Sequence, residues 1–228
     1  MAGDETRAER GVALVVALLI TALFAALGAG LILVTSTEMR VAAAYHDATT
    51  TLQAADAALD LALTGLAGAG SLDDVLQGVE PSPFVDGAPG GLKFPGAGLT
   101  VDLDTLTHRL RCGRPRACVD AEIAETTDAR PWGVNNPRWQ PYVYGSLAAL
   151  LPGIERGMAL YVVAWVGDDA LETDGDPTVD GALPGDPGHG LVRLHVEAHG
   201  TAGQRRAVEA VVGVDGQAIR VHSWKELR

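Results

Sequence analysis

Positive charge is scarce in this sequence: 17 Lys and Arg face 29 Asp and Glu over 228 residues, for a formal net charge of −12. No contiguous basic run exceeds Arg205-Arg206, so nucleic acid and anionic lipid headgroups would repel the folded chain, and no nucleic-acid partner is expected. Catalytic signatures are missing too. There is no Walker loop, no HExxH, no GxSxG elbow and no dinucleotide glycine fingerprint, so the chain offers no candidate catalytic residue and is not expected to be an enzyme. Cysteine is limited to Cys112 and Cys118. The most telling gap is local: from Gly11 through Thr37 there is no charged residue, although the chain as a whole is 20% charged and 47% apolar, close to globular averages. The composition therefore describes a membrane segment joined to a soluble head.

Val12 to Val34 supplies 23 uncharged, mostly aliphatic residues, roughly 35 Å of helix, enough to cross a bilayer core. A cleavable secretory signal has a shorter apolar stretch of about 7–15 residues and a small-residue cleavage site. A short polar leader, Met1 to Arg10, ends in Ala8-Glu9-Arg10-Gly11 directly before the apolar run. Read on its own, this arrangement fits a plain signal anchor carrying a periplasmic binding domain.

Beyond the apolar run, Tyr45, Ala48, Leu52, Ala55, Leu59, Ala62 and Leu66 recur at alternating spacings of three and four, a heptad-like seam. His46, Asp47, Thr49, Gln53, Asp56 and Asp60 fall on the other faces. The pattern predicts one helix from about Val12 to Leu66, near 80 Å if unbroken, ended by Gly65, Gly68 and Gly70. A head of about 150 residues is too small to cover a helix of that length. The second half of the seam is expected to pack on its own sheet, leaving the first half to find lipid or other helices. Ala22, Ala26 and Gly30 form a small-xxx-small stripe that permits close helix contact. Gly28 and Gly30 each lower helix propensity by about 1 kcal/mol relative to Ala.

The Gly- and Pro-rich stretch Gly68 to Gly98 reads as a loop. Apolar or alternating runs at Leu99–Leu106, Met158–Val166, Leu191–His199, Arg205–Val214 and Ala218–Trp224 predict an antiparallel meander. The fold class is thus α+β, with a long helix on one face of the sheet. Cys112 and Cys118, in CGRPRAC, close a short loop and are expected to form a disulfide in an exported domain. Asp168, Asp169, Glu172, Asp174, Asp176, Asp180 and Asp186 crowd a window free of Lys and Arg. Asp174, Asp176 and Asp180 have the hard-oxygen character of a calcium loop but lack the full EF-hand spacing, so a solvated acidic loop is the more economical reading. Calcium is the one cofactor worth naming. Arg193, His195, Glu197 and His199 alternate with Val192, Leu194, Val196 and Ala198. His-x-Glu-x-His is a conceivable zinc set, and a solvent-facing, charge-paired strand is the expectation preferred over it.

The junction Arg10-Gly11-Val12-Ala13-Leu14-Val15-Val16, the following ALLITALFAALGAGL, then Thr37-Glu38-Met39-Arg40, Tyr45-His46-Asp47 and Leu52-Gln53-Ala54-Ala55-Asp56-Ala57-Ala58-Leu59 resemble the N-terminal region of PilX-type minor pilins over about residues 10–60. The resemblance implies a leader, residues 1–11, removed by a prepilin peptidase between Gly11 and Val12. It also implies a methylated mature subunit, a pilin helix over 12–66 with 12–34 transmembrane, and a β-rich head over 67–228. Its partners would be other pilins, contacted through the helix. Its route would run from the inner membrane to a pilus on the cell surface. Most major pilins carry a glutamate at the fifth mature position, which here is Val16. The minor pseudopilin that caps the type II secretion pseudopilus resembles this chain in having a non-acidic residue there, which points to a tip-proximal subunit and keeps a type II secretion pseudopilin as the nearest rival.

Overall fold

The computed structural model describes residues 5–151, 153, 159–172, 175–181, 188–201 and 203–227, with side chains from residue 12 onward. Two compact units divide the chain, Met1–Asp47 and Ala48–Arg228. The first is helical. Helix α1 (Glu5–Ala67) begins inside the polar leader, seven residues before Val12, and continues unbroken through Gly28 and Gly30, where an added Cβ would meet nothing within 4 Å. These glycines lower propensity without kinking the helix.

In the second unit, the C-terminal part of α1 is amphipathic as its heptad-like seam predicts. Ala55, Ala58, Leu59, Ala62 and Leu66 are all at most 5% exposed, while Gln53, Asp56, Asp60 and Thr64 occupy the outer side. Each fully buried leucine contributes about 1.5–3 kcal/mol. The helix stops at the glycines: Gly68 N donates to Gly65 O and Ala69 N to Leu66 O, and the Glu80 carboxylate accepts from Gly70 N and Ser71 N. Gly65 also has a packing role, because a Cβ there would lie 2.9 Å from the Tyr142 hydroxyl.

After α1 come α2 (Leu72–Leu76), β1 (Leu92–Gly96), β2 (Leu99–Asp102), α3 (Leu103–Cys112), α4 (Asp120–Ile123), β3 (Gln140–Ser146), α5 (Leu147–Leu150), β4 (Tyr161–Asp168), β5 (Leu191–His199), β6 (Arg205–Asp215) and β7 (Ala218–Leu227). Strands β3-β4-β5-β6-β7 form one sheet in that order, every pair antiparallel, and β1-β2 form a separate hairpin. The meander and the α+β class are as the alternating runs suggested, with β5, β6 and β7 close to their expected bounds.

Three readings change. The run Leu99–Leu106 is a strand only as far as Asp102, whose side chain accepts from Thr105 N and caps α3. Strand β3 lies in a segment that carried no strand signal, and β1 lies within the stretch read as loop. Third, both faces of the sheet are covered. Val162, Ala164, Val166, Val192, Leu194, Val196 and Val208 join the α1 residues in one core. The alternate positions Tyr161, Val163 and Trp165 join Val101, Leu103 and Trp139 in a second core, where Trp165 Nε1 donates to Thr107 Oγ1 on α3 at 2.9 Å.

Candidate functional site

Among the described residues, most of the exposed large hydrophobic side chains lie on the apolar part of α1. Val12, Leu19, Phe24, Leu31 and Leu33 are all more than 60% exposed, and Val16 is 47% exposed. The hydroxyls in this segment are satisfied by the helix itself: Thr21 donates to Leu18 O, and Ser36 and Thr37 to Leu33 O, at 2.8–2.9 Å. This matters in hydrocarbon, where an unmet donor costs several kcal/mol. Among the described residues one helix is long and apolar enough to cross a membrane, and this stretch provides its apolar window. Gly11 and Val12 lie inside helical backbone. The first acid after the leader is Glu38, so no carboxylate accompanies Val16 anywhere in the apolar run.

Cys112 and Cys118 are joined, with Cα atoms 6.1 Å apart. The loop they close is gripped by ion pairs. Arg114 and Arg116 reach Glu122 at 2.7 and 2.6 Å, and the hydrogen bond from Arg116 is the largest of the interactions holding the Glu122 carboxyl below its usual range. Gly113 caps α3 in the left-handed region at φ 75°, the C-terminal signal for which glycine is best suited.

The start of the acidic window is folded inward, while Asp176 is exposed. Asp168, Asp169 and Glu172 are 2–3% exposed, and ligand oxygens of Asp168, Glu172 and Asp180 lie within 4.8 Å of one another. Asp180 Oδ1 accepts from Gly190 N at 2.6 Å and Glu172 Oε2 from Gly181 N at 3.0 Å. Asp73 on α2 accepts from Asp180 N. Gly188, at φ 91°, passes so close that a Cβ would sit 2.4 Å from Glu172 Cγ. The trio anticipated for calcium is distributed differently: Asp174 lies outside the described residues, Asp176 bonds Thr178 N and Oγ1 in a local turn, and Asp180 alone belongs to the converging set. Asp168 and Glu172, which crowding singled out without assigning them a ligand role, are its other members. Their convergence is set by the end of β4 and the turn before β5, information that linear spacing does not carry.

The His-x-Glu-x-His strand face is corrected from solvent-facing to buried. His195 and Glu197 are each 5% exposed; the rings of Trp139 and of Trp165, the cross-strand partner of His195 on β4, have centroids 5.8 Å from that of His195. His195 Nε2 and His199 Nε2 approach the Glu197 carboxylate at 3.1 and 3.0 Å. Arg205 forks onto it, with Nε at 2.9 Å and Nη2 also bonded. Burial alone pushes the Glu197 carboxyl up, but the bonds from Arg205, His195 and His199 together hold it far below its ordinary value. Both carboxylate oxygens of Glu197 are engaged, Oε1 by His195 and Arg205 and Oε2 by His199 and Arg205, so this arrangement is an ion-pair network centred on a buried carboxylate.

Residues 10–60 match a family model described as PilX N-terminal, the span over which the sequence resembles a PilX-type pilin. No curated protein and no solved structure matches the chain.

Proposed function

We propose that this chain is a minor pilin, a non-enzymatic subunit that enters a type IV pilus through α1 and sits near its tip. The observation that carries the reading is the family match over residues 10–60 falling on an uninterrupted helix whose apolar residues are exposed. Cleavage between Gly11 and Val12 would release a helix whose first charged side chain is Glu38, held in the inner membrane until it exchanges lipid for neighbouring pilin helices. In a shaft, every interior subunit accommodates a neighbour's terminal amine in a dry bundle, where an unpaired charge is expensive. Val16 offers that amine no countercharge, which disfavours repeated incorporation and suits a subunit with nothing stacked above it.

Terminal sequencing of the mature protein tests the pilin reading: removal of 1–11 is expected, and Gly11→Leu should leave full precursor in the membrane. Retention of Arg10 after exposure to the peptidase would sink it in favour of a signal anchor. Tip placement has its own test, since immunogold label spread evenly along wild-type filaments would defeat it and leave the pilin assignment intact.

A further inference from the structure

The two edges of the five-stranded sheet are finished differently. At β3 the edge is closed by the segment before it: Tyr144 N donates to Phe84 O at 3.2 Å and Asp86 N to Tyr144 O at 2.8 Å, with Val85 bridged to Tyr144. At the opposite edge, β7 pairs with β6 along its whole length. No backbone hydrogen bond among the described residues reaches its outer side. A long open edge presents a row of unpaired donors and acceptors and is a ready template for another strand.

The two faces of β7 say what kind of strand would fit. Register with β6 puts Ile219, Val221 and Trp224 opposite Val214, Val212 and Ala210, on the face shared with the α1 core, against which Ile219 packs. Val221 and Trp224 nevertheless remain 45% and 47% exposed, and Trp224 is steadied by an indole bond to Asp56 Oδ1 at 3.1 Å. The reverse face carries Arg220, Ser223 and Lys225, with His222 inserted at the irregularity where the register shifts. Lys225 is committed to Glu209 at 2.5 Å. Arg220 and His222 border a hollow of about 340 Å³ together with His189, Gly213 and one acid, Asp215 at the end of β6, and neither Arg220 nor His222 has a hydrogen-bond or ionic partner among the described residues. No acid occurs on this face of β7, so a second copy of the same strand would bring no countercharge to Arg220.

We propose that β7 is a docking edge for an extended segment of a different polypeptide, one that alternates apolar residues, covering Val221 and Trp224, with acidic residues reaching Arg220 and the hollow beside it. Backbone pairing would supply most of the affinity, and the two faces would supply register and choice of partner. The inference rests on the Ala48–Arg228 unit alone and is independent of the pilin reading.

The test uses the full chain in detergent micelles with two labelled decapeptides, one alternating valine and glutamate, the other valine and lysine. The valine–glutamate peptide should bind by fluorescence anisotropy and slow amide exchange along β7 but not along β3. Arg220→Glu, an exposed change expected to leave thermal unfolding unaltered, should weaken that peptide at least tenfold and let the valine–lysine peptide bind. Trp224→Lys should weaken both. Absence of binding, protection elsewhere, equal binding to the Arg220→Glu variant, or concentration-dependent dimerisation through β7 would overturn the proposal.

Discussion

Helix α1 places nearly the same residue types in two opposite environments. From Val12 to Val34 its valines, leucines and alanines are exposed, and from Ala54 to Leu66 a stripe of alanines and leucines is buried. What differs is the rest of the circumference. The first segment is apolar all round, which leaves no face to turn toward water. The second sets Gln53, Asp56, Asp60 and Thr64 opposite its stripe, so one side can meet the sheet while the other stays solvated. Local composition thus decides whether a stretch of one helix uses its own domain or an external apolar phase as solvent.

The largest expected effect comes from breaking the first environment. Leu19→Arg with Leu23→Arg should weaken membrane insertion by about 5–7 kcal/mol, taking about 2.5–3.5 kcal/mol for each buried cation. Carbonate extraction should then move the protein from pellet to supernatant. Unfolding of the Ala48–Arg228 unit, followed by near-UV circular dichroism, should stay where it is. A shared loss of both signals would show that the two environments are not separable.

A smaller change distinguishes the segments by packing. Ala58 is 0% exposed, so Ala58→Leu should overfill the core and destabilise the domain by about 1–3 kcal/mol. Ala22→Leu, in the exposed apolar run, should leave the same urea midpoint unchanged. Equal effects would remove the distinction between the two segments.

This division was legible in the sequence because each half of α1 advertises its environment by periodicity, and so do β5, β6 and β7. Other elements were hidden for identifiable reasons. Strand β3 holds Pro141 and Gly145 beside a register irregularity between Pro141 and Val143, features tolerated at an edge but absent from any strand template. The start of α3 mimicked a strand because Val101 and Leu103 alternate with Asp102 and Asp104. The deciding signal was Asp102 followed by Thr105, a cap recognisable three residues ahead. Glu197 was misjudged because alternation reveals which residues share a face, not whether something covers it. Here α3 and Trp139 do.

The disulfide comes next in size. Replacing Cys112 and Cys118 together by serine should cost about 2 kcal/mol, the loop-closure entropy of so short a ring. Thermal unfolding with and without reductant measures it. Insertion of the apolar segment should be indifferent, which again separates the regions. Full alkylation of the native, non-reduced protein would show that the bridge does not form.

The finest distinction is in pH. Between Gly11 and Thr37 no side chain titrates, whereas in the Ala48–Arg228 unit two carboxylates work in opposite directions. Glu197 is pushed up by burial but pulled far lower by Arg205, His195 and His199. Its folded form therefore prefers to be ionised. The stability this confers is present above the unfolded value of 4.5 and is lost as the pH falls below it. Asp56 is raised, first by burial and further by Asp60 and Glu226, against the lowering bond from Trp224. Its contribution is complete below 3.8 and disappears as the pH rises through the elevated folded value. Urea midpoints taken from pH 2 to 7 should show a steep acid limb, blunted on its alkaline side. Glu197→Gln should flatten the acid limb even where the variant is less stable throughout, because the slope reports the proton and the height reports the lost ion pair. Asp56→Asn should sharpen the same limb by removing the opposing titration. An acid limb of unchanged slope in Glu197→Gln would mean that other carboxylates dominate and that the Glu197 network does not set the acid sensitivity of the domain.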